Sequence, residues 1–239
     1  MRKYLIAAAV LLAALPCAAE LKDAPAAVAA LKSAAAKDRL EAIYYLGAQR
    51  TQDAYAALAD HFPVEKDAYL RVQLVEVLNV RGSTSAYSCA AAAAGDPNKA
   101  VRQAAASALA PNAGDAVADG KLGALAADSS EEVRLAVVTS LSADTSTSAV
   151  SIVGAVLSDR KSTLRARRTA AGVLSGLKTP GADRELLKHL SDADPEIKAA
   201  AAARKPARAK SGAVPGKPAK ARSAPAPGKP AGTKPAPRG

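Results

Sequence analysis

An all-α fold, an α-solenoid (superhelix) of about six antiparallel helix pairs, is what this sequence predicts, and three observations predict it. First, Val101-Arg102-Gln103-Ala104-Ala105-Ala106-Ser107-Ala108-Leu109 returns 32 residues later as Val133-Arg134-Leu135-Ala136-Val137-Val138-Thr139-Ser140-Leu141. A fixed period of about 32 residues marks an array of repeats. Second, positions 1, 4, 5, 8 and 9 of the motif are mostly apolar, which places them on one stripe of a helix. Third, no stretch alternates β-branched and polar residues at period two, so no sheet is expected.

Taken in chain order, the motif heads are Asp38-Arg39, Leu70-Arg71, Val101-Arg102, Val133-Arg134, Ala166-Arg167 and Ile197-Lys198, spaced by 32, 31, 32, 33 and 31 residues. The apolar residue closing each motif is Leu46, Leu78, Leu109, Leu141 and Leu174, with Lys205 in that place in the last copy. A weaker helical segment precedes each motif, at about 24–34, 53–60, 86–94, 115–127, 148–157 and 181–190. Turn signals separate the two segments of a pair: Phe62-Pro63, Gly95-Asp96-Pro97 and Asp128-Ser129-Ser130. In Asp96-Pro97 the Asp suits a helix cap, and Pro suits the first helical position, where its missing N–H is not needed. Asp96, Asp128 and Asp192 stand five residues before their motif heads, whereas Asp159 stands seven before Ala166, so that loop is two residues longer.

The pattern Asp-x4-Val-Arg-x-x-Ala-Ala-x-Ala-Leu resembles the HEAT-like repeat of the phycobilisome-lyase type over roughly residues 22–203. The resemblance implies two antiparallel helices per unit and units stacked into a right-handed superhelix. It also implies a ladder of hydrogen bonds between neighbouring repeats. That role falls on Asp96, Asp128 and Asp192 with Arg102, Arg134 and Lys198, and the partners expected for Arg102 and Arg134 are Asp96 and Asp128.

Residues 1–19 read as a secretory signal peptide outside the fold. Arg2 and Lys3 head an apolar run, Tyr4–Leu15, and Cys17-Ala18-Ala19 forms a small-residue cleavage site. The run is shorter than the ~20 residues a membrane-spanning helix needs. Pro16 departs from the small residue a lipoprotein signal places before its cysteine, so lipidation at Cys17 is not expected. The expected location is therefore exported, periplasmic or secreted. Cleavage after Ala19 leaves Cys89 alone, with no internal disulfide to form. A small buried thiol is its expected role.

The charge divides along the chain. From Arg204 onward there are ten Lys or Arg and no acid; setting these and the leader's two basics aside leaves 21 basic against 22 acidic residues. Nearly all of the formal charge of +11 thus belongs to the tail, not to residues 20–203. Residues 204–239 are mainly Pro, Ala, Lys and Gly, with Val214 the one aliphatic side chain larger than Ala. Such a composition buries too little apolar surface to offset ordering, and disorder is expected.

The chemistry-bearing residues do not converge. Gly114 to Lys121 looks like a phosphate loop, but its glycine spacing is one residue too long and Leu122 stands where Ser or Thr should hold Mg²⁺. His61 and His189 lie in different repeats, and neither has a partner at a metal-ligand spacing. Iron-dependent hydroxylases built on HEAT-like repeats require His-Glu pairs, and none is expected in this sequence. A chromophore lyase is not expected of an exported chain. No nucleophile, base and orienter set is identified, so no enzyme, cofactor, metal site or small-molecule substrate is expected.

The functional expectation is a monomeric protein-interaction scaffold of a bacterial-type cell envelope, gripping an unknown protein partner with the solenoid surface. The alternative is a binder of envelope polymer or nucleic acid through the tail. Its expected anion-binding residues are Arg165, Arg167, Arg168, Arg204, Lys205, Arg208 and Lys210. The tail carries no aromatic side chain to stack on bases, so such binding would be salt-sensitive and poorly selective.

Overall fold

The structure, a computed structural model, describes residues 23–79 and 83–204. The chain divides into Met1–Lys205 and Pro206–Gly239. The expected leader 1–19 and most of the basic tail, Lys205, Arg208 and Lys210 included, lie outside the described residues.

Among the described residues there are twelve α-helices and no strand. In chain order they are α1 (Ala24–Ala30), α2 (Ala36–Gln49), α3 (Gln52–His61), α4 (Ala68–Val77), α5 (Thr84–Ala93), α6 (Lys99–Leu109), α7 (Ala116–Ala126), α8 (Glu131–Ser140), α9 (Thr147–Ser158), α10 (Leu164–Leu177), α11 (Pro180–Leu187) and α12 (Pro195–Ala202). Short 3-10 turns, Phe62–Val64 and Ala110–Asn112, follow α3 and α6. Consecutive helices form six pairs, and the even-numbered member of each carries the motif.

Short, Ala-rich helices are marginal alone, so their ends are fixed locally. Ten of the twelve have an N-cap side chain that accepts a backbone N–H: Asp23, Thr51, Asp67, Ser83, Asn98, Asp115, Ser146, Thr163, Thr179 and Asp194. The cap of α6 is Asn98, not the Asp96 expected from sequence, and Pro97 lies outside the helix. Asp96 is thereby freed for another use. Helices α2 and α10, of 14 residues each, end on a non-glycine residue in the left-handed region, Arg50 and Lys178, both at φ 52°.

The even helices form one layer, α2 against α4, then α6, α8, α10 and α12 in turn, and α3, α5, α7, α9 and α11 form a second. The core runs between them. Leu46, Leu78, Leu109, Leu141 and Leu174 are all buried, with Leu70, Val101, Val133, Ala166 and Ile197 at the motif heads. Close approach within the even layer needs small residues. A Cβ added to Gly47 would stand 2.2 Å from Val77 Cγ1, which fixes how closely α2 meets α4. The aromatics divide: Tyr55 and Phe62 are buried, whereas Tyr44 and Tyr69 are 48% and 58% exposed on the even layer. An aromatic is not automatically an anchor, and these two are surface.

Candidate functional site

The loops joining the helices of each pair form one edge of the array, and the motif arginines occupy it. Arg71 Nε and Nη2 donate to Asp96 Oδ2 and Oδ1 at 2.8 and 3.0 Å, while Arg71 Nη1 donates to the carbonyls of Glu65 and Lys66. Arg102 does the same one repeat on, with Asp128 at 2.7 and 2.9 Å and the carbonyls of Asp96 and Pro97. Each guanidinium therefore ties its own loop to the carboxylate of the next. This corrects the pairing expected from sequence: Arg102 donates to the Asp128 carboxylate, and the Asp96 carboxylate accepts from Arg71. A bidentate pair of this kind is geometrically specific as well as strong. The Arg102 fork, ahead of opposing burial, holds the Asp128 carboxyl below its ordinary range.

A further rung, outside the set expected from sequence, joins Arg39 to Glu65 at 2.8 and 3.1 Å. Glu65 stands five residues before Leu70, the Asp position of the motif, so the same spacing with Glu admitted would have found it. Its carboxylate also accepts from Asp67 N–H at 2.9 Å and lies 3.0 Å from His61 Nε2. Burial pushes the Glu65 carboxyl up, but the Arg39 fork, the Asp67 N–H and His61 together hold it down at about 2. His61 and Glu65 are thus a His–carboxylate pair one helical turn apart, contrary to the expectation that neither histidine has such a partner. His189 is similarly placed, with Nδ1 at 3.3 Å from Asp192 Oδ2. Among the described residues no group of three or more His, Cys, Asp or Glu is placed to hold a metal.

The remaining site residues are placed as follows. Asp192 is bonded by Arg167 Nη2, whereas Lys198 is exposed and forms no ion pair among the described residues, so it is not a rung. Arg134 is buried and donates Nη1 to the Asp128 carbonyl, but its Nε has no partner, so the expected Arg134–Asp128 carboxylate pair is not made. In the basic cluster, Arg168 is consumed by Asp194 and Glu196, with contacts of 2.6 and 2.7 Å, and Arg167 by Asp192. Among the described residues, Arg165 alone of the three is exposed and forms no ion pair. Arg204 donates to the Ser175 carbonyl and pairs with Asp183 at 3.4 Å.

Exposed apolar surface gathers at the first two pairs. Of six large exposed hydrophobic residues among those described, Val28, Tyr44, Val64 and Tyr69 lie there; only Val117 and Leu164 lie beyond. Val28, Leu31, Ala34, Ala57 and Val64 line an open groove of about 640 Å³ whose floor is the Arg39–Glu65–His61 network and whose rim carries Lys32 and Lys66. On the even layer, Tyr44 O–H donates to Gln73 Oε1, and Gln73 Nε2 donates to Glu76 Oε2 at 3.2 Å. Partial burial, with Tyr69 and Glu76 beside it, pushes the Tyr44 phenol up. No helix among the described residues is long and apolar enough to cross a membrane.

Comparisons with known proteins agree with this architecture. Residues 118–204 match the family of HEAT repeats. The complex of CpcE and CpcF of phycocyanin lyase from Nostoc sp. PCC7120 is similar in structure, with a TM-score of 0.51 and 24% identity over 76% of this chain and 75% of that one. An engineered protein has a TM-score of 0.48 and 17% identity over 75% of this chain and 94% of that one. Human deoxyhypusine hydroxylase in complex with glycerol has a TM-score of 0.36 and 16% identity, over 76% and 82%. No curated protein matches. The class defined here is an all-α solenoid, with HEAT repeats matched over residues 118–204.

Proposed function

We propose that this chain is a non-catalytic, monomeric protein-interaction scaffold, exported to the periplasm or beyond, that docks a protein partner on its first two helix pairs. The observation that carries the reading is the concentration of Val28, Tyr44, Val64 and Tyr69 at that end. Exposed tyrosine is enriched at interface centres, since it offers a large contact area and a hydroxyl that stays hydrogen-bonded. Two stacked layers present such a surface on rigid elements. Export is supported by the charged head, short apolar run and small-residue site of residues 1–19.

The test is affinity capture from a cell-envelope extract with the full mature chain, its Tyr44→Ala/Tyr69→Ala variant and a Val117→Ala control. A partner retained by the wild type and the control but lost with the tyrosine variant supports the reading. Equal capture by all three overturns the placement on the first two pairs.

A further inference from the structure

The Arg-to-acid ladder has a gap, and the gap is built from identifiable residues. In the regular rungs Nη1 of the arginine donates to a carbonyl of its own loop, while Nε and Nη2 face the carboxylate of the next loop. Arg134 keeps the first bond, to the Asp128 carbonyl, so its guanidinium shares that anchor, while its Nε is buried and makes no hydrogen bond among the described residues. The acid of the next loop, residues 159–163, is Asp159, 25 residues after Arg134, the separation of Arg71 from Asp96. Asp159 keeps the local bond of a ladder acid, accepting from Lys161 N–H at 2.9 Å, as Asp96 does from Asn98 and Asp128 from Ser130. Its other oxygen, however, accepts from Ser162 Oγ at 3.1 Å. Ser162 is buried and belongs to the loop that is two residues longer. The hydroxyl thus holds the carboxylate that elsewhere fills the fork. Arg167 departs in step, with Nε donating to the Leu157 carbonyl at 3.0 Å.

The result is a guanidinium 7% exposed whose buried Nε has no hydrogen-bond partner among the described residues. Leaving a buried donor unmet is unfavourable, more so when the donor is charged, so the position is primed for an acceptor. Arg160, Lys161 and Arg165, exposed in or next to the same loop, form no ion pair among the described residues. The neighbouring acids are committed: Asp128 to Arg102, Glu131 to Thr163 at 2.7 Å, and Asp159 to Ser162.

We infer that the fork of Arg134 is a receptor for a bidentate oxyanion, a phosphate or carboxylate group from outside the chain, which takes the place that Ser162 keeps Asp159 from filling. Arg160, Lys161 and Arg165 draw the anion in, and loop 159–163 yields to admit it to the covered Nε. This site is independent of the tyrosine surface and stands whether or not that surface binds a partner.

The test is thermal unfolding and calorimetric titration of the full chain with inorganic phosphate and, separately, acetate, each matched in ionic strength with sodium chloride. The wild type should gain melting temperature with phosphate, with acetate, or with both; which of them acts distinguishes a free phosphate from a carboxylate group. Arg134→Met should weaken the apparent affinity by about tenfold or more, the scale of a lost charge-assisted fork. Ser162→Ala retains every cation but releases Asp159 to fill the fork, so it too should lose the response. No specific response in the wild type, or an undiminished one in either variant, overturns the proposal. Because Ser162→Ala keeps Arg134, it remains decisive if Arg134→Met fails to fold.

Discussion

At the scale of single residues, the rungs set charges that are mostly out of water against each other, so what matters is which partner is left behind. Arg102 and Asp128 retain only 16% and 11% of their side-chain exposure. Arg102→Ala strands the Asp128 carboxylate and should cost roughly 2–4 kcal/mol in urea unfolding, toward the range for breaking a buried pair. Arg134→Ala strands no carboxylate and should cost less; the reverse order would contradict the ladder described here. Acid provides a second measurement. Glu65 titrates lower in the folded chain than in the unfolded one, where a value near 4.5 applies. The unfolded state therefore takes up the proton first. The stabilisation is complete above about pH 4.5 and is lost as pH falls toward 2, by roughly 1–3 kcal/mol. Removing the fork with Arg39→Gln should raise the Glu65 pKa, read by carboxyl NMR titration. An unmoved value would show that the fork is not what holds it down.

At the scale of elements, each motif helix is held by the leucine that closes its stripe. Leu109 and Leu141 are fully buried between the layers, so Leu109→Ala and Leu141→Ala should each cost about 2–5 kcal/mol, the transfer and cavity terms together. A loss under about 0.5 kcal/mol in urea would deny them that position. Helix ends offer a change in the opposite direction. Arg50 and Lys178 close α2 and α10 in the left-handed region, where a Cβ is strained and glycine is not. Arg50→Gly should raise stability by about 0.5–1 kcal/mol, visible as a higher urea midpoint; a lowered midpoint would deny that the left-handed end is strained.

At the scale of the whole molecule, a repeat array gains its stability from neighbour contacts, and the excess charge lies in the tail. We propose that residues 205–239 contribute no core. A chain ending at Arg204 should then keep the far-UV circular dichroism and melting temperature of the full chain. Binding to an acidic polymer, if the tail provides it, should vanish with that truncation and weaken steeply with salt, since counterion release depends on the number of cations presented. A lowered melting temperature would show that the tail supports the fold.

The sequence by itself determined the helical class, the period, six helix pairs and their closing leucines, because burial along a helix writes itself as a local 3.6-residue pattern. The motif spacing also marked the loop lengthened by two residues at Asp159, and with Glu admitted it contained the Arg39–Glu65 rung. Which arginine meets which acid was decided only by the tertiary structure. Asp96 is five residues from Val101 in the chain, but its carboxylate answers to Arg71, 25 residues earlier, because stacking brings one loop against the next. Tertiary structure likewise decided that Tyr44 and Tyr69 face outward while Tyr55 and Phe62 face in. It also closed Arg167 and Arg168 on Asp192 and Asp194, so two of the three charges in a basic run are answered at home. A local pattern specifies which face of a helix is apolar; which side chain meets that face, or lies across a seam from a given charge, depends on contacts some 25 residues away that no local period encodes.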